Sequence, residues 1–252
     1  PNFINGGTGN DIVNINSVNQ TLSALNQISG IENIVYNNSS FYHPTIDTNN
    51  IINSTITINN TANPLVAPST ATINNLGANN TLNLGTNLTG SSTINVVPNA
   101  SKVTINAGDA EVTVNTGASV SDLKINGDTS SSMSVNLGSS NSNTTINQGS
   151  GAGVINVANN SATGTKITTG YTGTAMQTVS ITDVAADTSL TIARTGTTIA
   201  PTMVIVDGTT ATTDKISLSA KGIIDLETAS ADQVEQLDLS GNGADVNYKL
   251  NA

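Results

Sequence analysis

The 252-residue sequence contains no cysteine and no tryptophan, and only two phenylalanines and four tyrosines. Without cysteine there is no disulfide and no thiol chemistry. A chain of this kind outside a cell must take its stability from elsewhere, and bound metal is one source. Aromatic residues at 2% are too few for the core of an ordinary sandwich of this length, which leans on large rings. Positive charge is also scarce: seven basic residues stand against seventeen acidic ones, for a net charge of −10. That balance excludes the basic footprint of a nucleic-acid binder and of a protein held on anionic lipid. Apolar runs stay short of the roughly 18–20 residues of a membrane-spanning helix, so no membrane insertion is expected. Pro1 is not an initiator, and the chain reads as a fragment or a processed form.

Catalytic machinery is equally thin. The one histidine, His43, sits in an Asn/Ser-rich stretch before Pro44 and reads as a surface residue. A G-x-S-x-G nucleophile elbow is absent from the sequence. Polysaccharide-cleaving β-helices need basic residues and aromatic platforms that this composition lacks. The expectation is a protein that is not an enzyme. The N-x-S/T triplets at Asn53, Asn59, Asn79, Asn87, Asn143 and Asn159 arise by chance in so Asn- and Thr-rich a chain.

What is present is a beat. Asn and Thr each make up about 15% of the chain, well above average usage, and they separate short aliphatic-x-aliphatic triplets. Leu82-Asn83-Leu84, Ile94-Asn95-Val96, Val103-Thr104-Ile105, Val112-Thr113-Val114, Leu123-Lys124-Ile125 and Met133-Ser134-Val135 are examples. From Leu84 to Ile167 there are eight steps in 83 residues, about 10.4 each. Alternation in twos with β-branched residues means strands, and a fixed period means stacking. The expected fold is all-β: a parallel β-helix or β-solenoid of short strands at about 10-residue spacing, with a continuation or a small additional β region at the C-terminal end. Two strands per rung would give rungs of about 21 residues and three about 31; the period allows either. In each triplet the aliphatic residues face inward and the middle residue outward. The Asn that follows suits a corner, since Asn tolerates the left-handed backbone region, and stacked Asn side chains can form a hydrogen-bonded ladder.

Three stretches follow from this reading. Residues 1–50 form an irregular opening region with a glycine loop. Within it, one or two helical turns are expected over Val18 to Ile28 (Leu22, Leu25, Ile28) and a strand over Ile31 to Tyr36. Residues 51–170 carry the regular solenoid. Residues 171–252 space their strands more widely, as a solenoid continuation or a small β domain.

The sharpest motif is Gly6-Gly7-Thr8-Gly9-Asn10-Asp11-Ile12-Val13-Asn14, which fits the calcium-binding nonapeptide G-G-x-G-x-D-x-U-x at every defined position. Glycines let the backbone turn tightly and aim carbonyls inward, while the Asp adds a carboxylate to the six to eight hard oxygens that Ca²⁺ takes. Gly7 and Gly9 would supply carbonyls and Asp11 its side chain. A half-match, Gly241-Asn242-Gly243-Ala244-Asp245, makes Asp245 a second candidate. Asp109 with Glu111, Asp122 with Asp128, and Asp207 with Asp214 flank corners or loops and read as solvated carboxylates.

The GGTGNDIVN nonapeptide, the SGIENIVYN and QVEQLDLSGNGADV segments, the Thr/Asn/Ser/Gly-rich repeats, the lack of Cys and the acidic charge together resemble RTX-type surface-layer proteins of Gram-negative bacteria. The tandem array of nonapeptides usual in that class is absent. The resemblance implies type I secretion, an extracellular location on the bacterial cell surface, calcium as cofactor, and self-assembly into a two-dimensional lattice. It also implies attachment through other, lipopolysaccharide-bound segments. Two further readings remain open at the level of sequence. One is a type I secreted adhesin module for a host or glycan ligand; the other is a carbohydrate-active β-helix enzyme with an acidic cleft.

Overall fold

The computed structural model describes residues 4–17, 28–38, 44–49, 51–60, 70–85, 88, 90–128, 132–150, 154–159, 165–172, 177–184, 188–194, 202–208, 215–228 and 236–250, with side chains as far as Thr191. Among the described residues there is no helix. The chain is a parallel β-solenoid, as its period predicts.

Two ladders of strands run side by side. Ladder A takes β2 (Ile12–Ser17), β4 (Asn33–Asn38), β6 (Thr55–Asn60), β8 (Asn80–Leu84), β10 (Val103–Gly108), β12 (Asp122–Gly127), β14 (Asn143–Asn147), β16 (Lys166–Tyr171) and β18 (Thr188–Arg194). Ladder B takes β5 (Thr45–Asp47), β7 (Thr72–Leu76), β9 (Ser92–Val96), β11 (Val112–Thr116), β13 (Ser132–Leu137), β15 (Val154–Asn159), β17 (Gln177–Val184) and β19 (Thr202–Gly208). Each strand pairs in parallel with the next-but-one in sequence, so a rung holds two strands. Val103 lies beside Leu123, twenty residues on, and Val112 beside Met133, twenty-one on. The longer strand β20 (Lys215–Thr228) belongs to both ladders, beside β18 through Ile216–Ala220 and beside β19 through Ile224–Thr228. The last, β21 (Gln236–Leu250), follows β20 through both halves. The pairing rule therefore runs on past residue 171, and eleven strands stacked in ladder A span roughly 50 Å at about 4.8 Å each.

The core is the strip between the two ladders. Inward residues of β10 and β11 (Val103, Ile105, Ala107, Val112 and Val114) are all buried, while Thr104 and Thr113 between them face out. Because the inward side chains are mostly Ile, Val, Leu and Ala, the strip is thin, and each rung relies on those above and below it. The interior grows more polar at β14 and β16, where Thr144, Gln148, Thr165 and Thr169 are buried among the aliphatics.

The Asn residues after the triplets do not turn the corners. Asn106, Asn115, Asn126 and Asn136 stay within their strands and stack outward. In ladder A, Asn106 donates to Asn83 (2.7 Å), Asn126 to Asn106 (2.8 Å) and Asn147 to Asn126 (2.8 Å). In ladder B, Asn95 donates to Asn74 (2.7 Å), Asn115 to Asn95 (2.8 Å) and Asn136 to Asn115 (2.6 Å). The corner role falls to other residues. Asn79, Asn99, Ser119 and Ser140, which follow successive ladder B strands, hold φ near +60°. The ladder of side chains is thus as expected, but its place is the strand and not the corner.

Candidate metal centre

At the start of the solenoid, β1 (Ile4–Asn5) pairs with β3 (Ile28–Ser29), and the nonapeptide loop joins β1 to β2. The expected strand at Ile31 begins two residues later, at Asn33. Residues 30–32 instead form a corner, in which Gly30 has φ +59°. The expected helical turns at Val18 to Ile28 lie outside the described residues except for Ile28, which opens β3.

The loop is held from both sides. Gly6 N–H donates to Ser29 O (3.1 Å) and Gly7 N–H to Asn5 Oδ1 (3.2 Å). Asn33 N–H donates to Asp11 O (3.0 Å), and the Asn33 amide to Asn10 Oδ1 (2.7 Å). Gly7 and Gly9 take φ of +88° and +142°, a region closed to most side chains. At Gly6 a Cβ would lie 2.0 Å from Gly30 O and 2.8 Å from Asp11 Oδ2, so only glycine fits where these two turns meet.

Asp11 is the centre of the site. Its Oδ2 is buried and has no hydrogen-bond partner, which is costly for a carboxylate oxygen away from water. Its backbone N–H donates to Glu32 Oε2 at 2.8 Å, so a second carboxylate faces the same turn. The sequence signal for Glu32 is its spacing. The β2–β4 register sets Ile12 beside Asn33, twenty-one residues on, and the same step carries Asp11 to Glu32. That step becomes usable only once two strands per rung are known.

This donor set suits a hard cation. Asp11 and Glu32 offer carboxylate oxygens, and the glycine turns offer carbonyls, as Ca²⁺ requires. Among the described residues no three His, Cys, Asp or Glu side chains gather in one place, so carbonyls would have to complete the shell. An open pocket of about 270 Å³ of mixed character, lined by Ile28, Ile31, Ile34 and Ile51 together with Ser29 and Ser54, lies against the same corner.

Asp245 is far from this loop in the stacking order. It lies on β21, ten strands along ladder A from β2. There the pairing of Gly241 with Ala220 resumes at Val246 with Gly222, which leaves Asp245 in a bulge of four residues opposite one. Asp11 and Asp245 are thus not parts of one site. The other acidic residues also stand apart. Asp122 lies on the outer face of ladder A in a row with Asn143 and Lys166, Asp128 is exposed at the corner after β12, and Asp109 and Glu111 flank the corner before β11. Asp207 is on β19, and Asp214 and His43 fall outside the described residues.

Comparison with protein-family models, curated proteins and solved structures finds no match.

Proposed function

We propose that this chain is a structural module of a bacterial surface layer, secreted by a type I route and assembling outside the cell into a calcium-dependent two-dimensional lattice. The observation that carries the reading is the buried, unpartnered Asp11 Oδ2, set in a glycine loop beside Glu32. Calcium bound there would neutralise two carboxylates and tie the first rung to the second. A metal that binds only the folded state stabilises it. In the calcium-poor cytosol the chain would stay export-competent, and it would fold on reaching calcium outside. The solenoid suits such a role, since its stacked rungs form a long regular scaffold. Attachment to the cell would come through lipopolysaccharide-bound segments of the protein.

The test is sedimentation and circular dichroism of the chain with calcium and with chelator. About 5 mM Ca²⁺ lies above the ~10⁻⁴–10⁻³ M dissociation constants of extracellular modules. Higher thermal stability together with assembly in calcium supports the proposal. Stabilisation of a lasting monomer favours the adhesin reading, and no response to calcium overturns both.

A further inference from the structure

The first 193 residues contain three basic side chains, Lys102, Lys124 and Lys166, against nine acidic ones. The fold gathers all three lysines, exposed, on ladder A within four successive rungs. Val103 pairs with Leu123, so Lys102 comes beside Asp122 one step earlier, and Ser121 N–H to Ala100 O (3.1 Å) keeps that register. Asp122 then pairs with Asn143, and Asn143 with Lys166. In the next outward rank Lys124 pairs with Thr145, and Thr145 with Thr168. Lys124 and Lys166 therefore flank β14 from opposite sides. Between them lies an open, mostly polar groove of about 240 Å³, lined by Asp122, Asn143, Thr144, Thr145, Lys166 and Thr168. Among the described residues, none of the three lysines, Asp122, Asn143, Thr145 or Thr168 makes a side-chain hydrogen bond or ion pair. The adjoining rank differs, since Asn147 there donates to Asn126.

We infer that this groove binds an acidic saccharide, its anionic group held over β14 between Lys124 and Lys166 and its hydroxyls taken by Asp122 and the Asn and Thr side chains. The chain carries a net charge of −10, so an anion is repelled from most of its surface and drawn to the one place where the lysines cluster. By rung and strand spacing Lys124 and Lys166 are about 12 Å apart at Cα. Both stand on flexible four-carbon stems, which lets the two ammonium groups close on one anion from either side, through charge-assisted hydrogen bonds. Asp122 decides the ligand class. As a carboxylate it only accepts hydrogen bonds, and it repels a bare phosphate or sulfate. A ligand that suits the whole groove must bring a negative group for the lysines and donors for Asp122, with further hydroxyls for Asn143, Thr145 and Thr168. A sugar acid has this combination. Because these side chains are not bonded to one another, they need not break internal contacts to bind it. The inference needs neither assembly nor a metal at Asp11, so its failure would leave the lattice proposal standing.

The test is titration calorimetry, backed by ligand-observed NMR, with short oligosaccharides of glucuronic, galacturonic and sialic acid. A neutral glucose oligomer and tripolyphosphate serve as controls. At least one acidic saccharide should bind, and the neutral oligomer should not. Lys124→Gln and Lys166→Gln should each weaken that binding at least fivefold, while Thr113→Ala on ladder B leaves it unchanged. Asp122→Ala separates saccharide recognition from bare charge. It should weaken the saccharide, which loses a hydroxyl acceptor, and strengthen tripolyphosphate, which loses a repulsion. No response to any of the three acidic saccharides up to about 10 mM overturns the inference, since weaker binding is not specific at such a site. So does an Asp122→Ala variant that binds saccharide and tripolyphosphate more tightly alike, which would mark the lysines as a simple charge patch. Binding that survives both lysine substitutions would place the saccharide elsewhere and overturn it too. Circular dichroism confirms folding of each variant; Lys124 and Lys166 are exposed, so either one alone carries the test if the other variant misfolds.

Discussion

The backbone N–H of Asp11 donates to the carboxylate of Glu32 at 2.8 Å, across one rung of the solenoid. The Glu32 carboxylate is therefore held at the backbone of Asp11 where the first two turns join, while Asp11 Oδ2 is buried without a partner.

Asp11→Asn should act in opposite directions with and without calcium. In chelator it removes the charge from a side chain with a buried, unpartnered oxygen, and should stabilise the chain by about 1–3 kcal/mol. With calcium present it should erase the metal-induced rise in Tm. Thermal melts in the two buffers check both signs, and a variant that keeps the full calcium response would exclude Asp11 as a ligand.

Asn115 lies mid-ladder, donating to Asn95 and accepting from Asn136. Asn115→Ala should lose two hydrogen bonds, for about 1–3 kcal/mol in denaturant melts. Asn115→Asp should cost more than Ala, because a carboxylate would face Asn95 Oδ1 where a donor stood. Equal stability of all three proteins would mean that the ladder contributes nothing.

Ser119 holds φ +60°, as does Asn99, whose N–H donates to Ala118 O in the next rung. Ser119→Val should destabilise by at least about 1–2 kcal/mol, since a β-branched side chain resists the left-handed region. Ser119→Asn should be neutral or slightly stabilising, as Asn99 holds the same conformation one rung earlier. A Val variant as stable as the parent would show that the corner is free to rearrange.

Thr144 is buried and its Oγ1 finds no partner. Thr144→Val keeps the shape and removes the hydroxyl, so a gain of about 1 kcal/mol is expected from chemical denaturation. A loss of similar size would instead mean that the hydroxyl is satisfied in solution.

Much of this was legible in the residues. Val103-Thr104-Ile105 announces an inward, outward, inward strand, and the structure places all three so. The nonapeptide could be read at Gly6 to Asp11, because its chemistry is local. Glu32 could not, since it reaches Asp11 only through a pairing between strands. Nor could the separation of Asp245, which depends on how many rungs lie between.

The sequence by itself determined the strands, their inward faces, the thin aliphatic core and the material for the Asn ladders. These follow from side-chain alternation and β-branching within a few residues. Only the tertiary structure decided that a rung holds two strands, that the ladder asparagines stay in the strands, and that Glu32 comes beside Asp11. The physical reason is that the angle turned at each corner depends on backbone conformations such as those at Asn99 and Ser119. Those conformations are selected by what the next rung, some twenty residues on, presents for pairing.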